Sequence, residues 1–210
     1  MVFDGNFKTI LIALLGGLIP ALLWLWFWLK EDNQRPEPRG LIITTFLIGM
    51  ASVMLVLPLE EFARRYISDG PLLTLVWSGI EEVIKLFVVA IIAFRTAYVD
   101  EPVDFAIYMI SGALGFAALE NALFLMHPLT LNETTVSLLT GNLRFLGATL
   151  LHAVSSGMIG IFMGLAFFAG RTKKTSYLVI GVLTAIVLHS LFNFFIIGNN
   201  GENFFAVFGF

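Results

Sequence analysis

Six ionisable side chains lie inside apolar stretches of this 210-residue chain: Glu81, Glu82, Lys85, Glu120, His152 and His189. Placing such a group at mid-membrane costs about 2.5–3.5 kcal/mol on insertion scales, so it rarely sits there without a task. Glu, His and Lys are the side chains of acid–base and metal chemistry. The set predicts a membrane enzyme or an ion-handling protein. Glu81 and Lys85 are spaced i,i+4 with the acid nearer the N-terminus, the favourable order for a helical ion pair. Glu82 stands i,i+3 from Lys85, so one lysine can hold one carboxylate and bias the other. Two adjacent carboxylates in a low-dielectric site resist being charged together. One of them is then ready to accept a proton, as a general base must. His189 and Asn193 are also spaced i,i+4, as are His152 and Ser156, and Asn121 follows Glu120.

The elements that position these residues follow from composition. Hydrophobic residues make up 58% of the chain and charged residues 13%, against about 25% charged in a soluble domain. The chain therefore reads as all-α: a polytopic transmembrane bundle forming a single domain over residues 1–210. Six stretches can cross a bilayer core of ~30 Å, at approximately 10–29, 41–59, 72–94, 103–126, 143–169 and 176–197. The segment 127–142 is left open as a loop, an interfacial or re-entrant helix, or part of a long fifth helix. The tail Glu202 to Phe210 is too short to cross and is expected on the interface or leading into further chain. The first apolar run lacks a basic lead and ends in Trp24, Trp26, Trp28 and Lys30, so it reads as a retained span rather than a signal peptide. A net charge of −3 gives no basic surplus for nucleic acid. The absence of cysteine excludes disulfides, thiolate catalysis and Cys-ligated metals.

Lys30, Arg35, Arg39, Arg95, Arg171, Lys173 and Lys174 fall on one side of this arrangement; Lys8, Arg64 and Arg65 fall on the other. The positive-inside rule puts the first set in the cytoplasm and both termini outside, in a multi-pass protein of the cell membrane. Counted from the outer ends of their spans, Glu81 and His152 then lie about 14 Å deep, Glu120 about 9 Å and His189 about 12 Å, at 1.5 Å per residue. Four helices bring ionisable groups to a similar depth. Singly, each has a plain packing explanation. Glu81 with Lys85 can be a structural pair, a lone histidine a hydrogen-bonded core residue, and Asn121, Asn193 and Ser156 bonds across helices. Together they exceed what holding a bundle requires.

Glu81-Glu82-x-x-Lys85 resembles the Glu-Glu-x-x-Lys motif of the PrsW family of intramembrane proteases. Phe116-x-x-x-Glu120-Asn121 resembles that family's second motif, and His152 and His189-x-x-x-Asn193 its later histidine motifs. The Pro36-Glu37-Pro38 loop is also in keeping. The related CAAX-prenyl-protease and bacteriocin-immunity group has Glu-Glu-x-x-x-Arg and Phe-x-x-x-His instead. Lys85 and Glu120 therefore fit the PrsW branch better. The resemblance implies cleavage of a membrane-anchored protein, such as a single-span anti-sigma factor, near the extracytoplasmic face. It implies catalytic roles for Glu81, Glu82, Glu120, His152 and His189. Lys85, Asn121 and Asn193 would support them, with Asn193 at the oxyanion.

Two mechanisms follow from the resemblance. In one, a glutamate activates water. In the other, His152, His189, Glu82 and Glu120 supply the ligands of zinc or another divalent metal. No His-Glu-x-x-His segment is present, so any ligand set must be assembled from separate helices. The sequence leans to the metal-free route, because Glu-Glu-x-x-Lys gives a carboxylate base its own cation. A proton or cation pathway is the reading outside proteolysis, although no inverted repeat or pair of broken helices supports transport. A non-catalytic immunity or binding protein is the remaining alternative.

Overall fold

The computed structural model describes residues 7–31, 35–130 and 134–198. Six α-helices account for nearly all of them: α1 (Phe7–Glu31), α2 (Arg39–Tyr66), α3 (Pro71–Ile92), α4 (Asp104–Thr130), α5 (Thr134–Leu165) and α6 (Arg171–Gly198). Among the described residues there is no strand. Helix is forced here because lipid offers backbone groups no hydrogen-bond partner, so each segment must satisfy its own. Five helices are long and apolar enough to cross a membrane: α1, α2, α4, α5 and α6. The third expected span is α3. Its 22 residues reach about 33 Å, but Glu81, Glu82 and Lys85 at its centre set it apart from the apolar five. All three are buried, on the face that α3 turns inward.

The segment left open at 127–142 divides between the end of α4 and the start of a long α5, apart from residues 131–133, which lie outside the described residues. The tail Glu202 to Phe210 also lies outside them. At the C-terminal end of α2, Glu61 pairs with Arg65 at 3.5 Å, whereas Arg64 reaches Asp69 at 3.8 Å.

Helix α4 is the axis of the bundle. It packs against α1, α2, α3 and α5, and every residue from Ile107 to Ala118 is buried. Small residues make this possible. A Cβ at Gly49 of α2 would overlap the Gly112 carbonyl of α4, and one at Gly17 of α1 would overlap the Ala118 carbonyl. Backbones thus meet where bulk would separate them. Around α4 the chain continues α2 to α3, α3 to α6 and α6 to α5. Four helices, α3 to α6, therefore surround one interior region.

At the end of the bundle where α3 leads into α4, the loop before α2 is clasped down. Tyr108, fully buried on α4, donates to Glu37. Arg35 pairs with Glu101 at 2.7 Å. Asp104 accepts the backbone N–H groups of Asp100 and Glu101 at 2.9 and 2.7 Å, closing the turn that starts α4. These contacts fix where α4 begins, and with it the height of Glu120.

Candidate functional site

Helix α3 places Ser78, Glu81, Glu82 and Lys85 on its buried face, as positions one and two turns apart must be. Glu82 is the most heavily bonded. Its Oε1 accepts from Lys85 Nζ at 2.9 Å, from Ser155 Oγ at 3.1 Å and from His189 Nδ1 at 2.8 Å; its Oε2 accepts from Ser156 Oγ at 2.6 Å. Such a carboxylate is a fixed anchor joining α3, α5 and α6. Glu81 is the opposite case. Its Oε2 is buried with no hydrogen-bond partner, and Lys85 Nζ approaches it as an ion pair at 3.3 Å.

Both histidines turn one ring nitrogen toward that oxygen. His152 Nδ1 and His189 Nε2 each stand 3.8 Å from Glu81 Oε2. Their other nitrogens are held from behind by carboxylates: His152 Nε2 by Glu120 at 2.7 Å and His189 Nδ1 by Glu82 at 2.8 Å. A carboxylate on the far nitrogen fixes the tautomer, so the proton sits on the far side and the lone pair faces the centre. The rings meet edge to face, with centroids 4.9 Å apart. Glu81, His152 and His189 offer one ligand atom each, all within 4.8 Å of one another.

Lys85 is the only cationic side chain in the cluster and is fully buried. Besides Glu82 and Glu81, its Nζ contacts His152 Nδ1 at 2.8 Å and lies 4.4 Å from the centre of the Phe116 ring. With neutral imidazoles, Glu81, Glu82 and Glu120 outnumber this lysine by two formal negative charges. Unpaired charge in a buried site is costly, and one divalent cation would balance it. Together with the unpartnered Glu81 oxygen and the two oriented lone pairs, this makes the donor set fit a metal ion. Nitrogen and carboxylate oxygen donors suit zinc. Glu120 differs from its neighbours in leading outward, with 43% of its side chain exposed.

The structure thus brings together Glu81, Glu82, Lys85, Glu120, His152 and His189 from four helices. It distributes them differently from the ligand set His152, His189, Glu82 and Glu120 considered from sequence. Glu81 faces the two lone pairs, while Glu82 and Glu120 stand behind the rings. Asn121 is not part of the cluster; its Nδ2 donates to Thr149 Oγ1 at 3.0 Å, tying α4 to α5. Asn193 is half-buried on α6, one turn beyond His189. Sequence reasoning missed Ser155 as an anchor of Glu82, and Phe116 as the surface beneath Lys85. The signal was present for Ser155, which follows His152 at i+3 and so shares its face.

Comparison with known proteins adds an independent line. A family model described as PrsW family intramembrane metalloprotease matches residues 37–210. A Protease PrsW of Halalkalibacterium halodurans is 27% identical over 191 residues, covering 86% of this chain and 81% of the relative. A Protease PrsW of Geobacillus kaustophilus is 29% identical over 187 residues (86% and 78%), and one of Bacillus subtilis 24% over 181 (85% and 79%). No solved structure matches.

Proposed function

The chain belongs to the PrsW family of intramembrane proteases, and from that premise we propose that its hydrolytic centre is Glu81, His152 and His189. The observation that carries this reading is the buried Glu81 Oε2, without a hydrogen-bond partner and 3.8 Å from an imidazole nitrogen of each histidine. A carboxylate oxygen without a hydrogen bond in a bundle interior is costly to maintain, and substrate, water or cation would complete it during turnover. The same three residues would hold a divalent metal. When bound, it would lower the pKa of water to about 7 and polarise the scissile carbonyl.

The chain's own groups divide the remaining work. Glu82 holds His189 and Glu120 holds His152, so neither ring can rotate away from Glu81. Ser155 and Ser156 lock Glu82 to α5 and prevent it from competing for the reacting water. Glu120, which leads outward, is placed to exchange protons with the exterior through its bond to His152. Asn193, one turn from His189, is proposed to support the oxyanion.

The proposed substrate is a membrane-anchored, single-span protein such as an anti-sigma factor, cut near the extracytoplasmic face. The bias of Lys and Arg toward one end of the bundle supports that placement. The test is incubation of purified protein in detergent with a single-span substrate, with metal content measured in parallel. Cleavage that stops with a strong chelator, returns with zinc or cobalt and is absent in Glu81→Gln supports the reading. Full cleavage by metal-free protein would overturn the metal assignment, and cleavage by Glu81→Gln would overturn the centre itself.

A further inference from the structure

We propose that Lys85 is an internal gatekeeper of metal loading, whose ammonium occupies the His152 lone pair that the ion needs and must step aside for it to enter. The inference rests on the reading of Glu81, His152 and His189 as a metal site.

A neutral imidazole carries one lone pair, on the nitrogen that has no proton. His152 Nε2 is bonded to Glu120, a group that as a carboxylate can only accept, so the proton is on Nε2 and the lone pair on Nδ1. Lys85 Nζ lies 2.8 Å from that Nδ1 and, having only donors, can only donate to it. One lone pair cannot accept a lysine proton and bind a metal at the same time. Lysine and metal are therefore alternatives at His152. Lys85 also approaches Glu81 Oε2, another of the three ligand atoms, at 3.3 Å.

Lys85 has two other partners that it would keep on leaving His152. Glu82 Oε1 is 2.9 Å from Nζ, and the Phe116 ring lies beneath it at 4.4 Å. Both are favourable for an ammonium, the ring through its negative face, and neither is needed as a metal ligand. A small rotation of a flexible four-carbon stem would release His152 and keep the charge paired. The lysine would thus serve the site in two conditions. It holds the donors together before loading and neutralises Glu82 afterwards. The cost is affinity: a site open for only a fraction of the time binds more weakly by that fraction.

The test is zinc titration of the full-length protein in detergent against a competing chelator dye. Wild type, Lys85→Met, Lys85→Gln and His189→Ala would be compared. Both Lys85 variants should bind one zinc about tenfold or more tightly than wild type. Their metal-free forms should unfold at a lower temperature than metal-free wild type, and zinc should restore them. Unchanged or weaker binding would overturn the proposal, since a lysine that merely supports the ligands should lose affinity when removed. Zinc binding that is lost in His189→Ala but indifferent to Lys85 would sink this inference and leave the metal site standing. No His189-dependent binding in any form would sink the metal site as well. Wild type labelled with 15N-lysine gives a readout that needs no variant to fold. The Lys85 ammonium signal should shift as zinc saturates the site, and an unmoved signal at saturation would overturn the gate.

Discussion

Glu81 and Glu82 are neighbours with opposite surroundings, and they should fail in opposite ways. Glu81→Gln keeps volume and disturbs no hydrogen bond of Oε2. It weakens only the 3.3 Å pairing with Lys85, so it should accumulate, unfold nearer the wild-type temperature than Glu82→Gln does, and lose about 10²–10⁴-fold in cleavage rate. Glu82→Gln turns an amide toward donors from Lys85, His189, Ser155 or Ser156. Breaking a buried pair in this manner costs about 3–5 kcal/mol, so this variant should show a lowered melting temperature in detergent together with lost activity. Substantial cleavage by both variants would remove the pair from the catalytic centre. Glu120→Gln should be milder. Its carbonyl oxygen can still accept from His152, and about 10–100-fold in metal affinity or activity is the usual effect of altering a ligand's supporting partner.

At the scale of elements, the site depends on how closely α2 and α4 approach. Gly49→Ala would drive a methyl into the Gly112 carbonyl, a backbone atom that cannot rotate aside. It should destabilise the protein by about 1–3 kcal/mol, as overpacking does, and reduce cleavage by shifting α4 and Glu120. Gly40→Ala, with nothing within 4 Å of the added carbon, serves as the control and should be silent. Thermal unfolding and cleavage assays on the two variants check the pair. The helices themselves were legible in the sequence, because runs of apolar residues broken by Pro36, Pro38 and the Arg171 to Lys174 cluster leave little choice. So was the meeting of α3, α4, α5 and α6, through the similar depths of Glu81, Glu120, His152 and His189. What sequence could not supply was azimuth. Depth says that Glu81 and Glu82 are level with the histidines; only helix rotation and packing decide that Glu81 faces both lone pairs while Glu82 stands behind His189. The same limit hid Asn121, whose rotation carries it to Thr149.

The molecule as a whole has one end richer in lysine and arginine than the other. Arg35, Arg39, Arg95, Arg171 and Lys174 lie together at the richer end, which the positive-inside rule assigns to the cytoplasm. Ser68 and Thr172 lie at opposite ends, and both are exposed. A single cysteine at each, in a chain with no native thiols, gives a direct reading. An impermeant reagent on intact cells should label position 68 and not position 172. The reverse pattern would turn the molecule over and move the cut to the cytoplasm. Orientation is also bound up with biosynthesis. Among the described residues the backbones of α1 and α2 do not approach each other closely, although the helices are consecutive; each packs instead against α4. As the chain emerges from the ribosome, α1 and α2 must enter the bilayer as separate strangers and wait for a helix made two spans later. Until α4 arrives, Gly17 and Gly49 face lipid, and the charged face of α3 lacks the helices that enclose it. A nascent chain arrested before α4 should therefore be a favoured target of membrane quality control, and the finished enzyme should assemble in one late step rather than helix by helix.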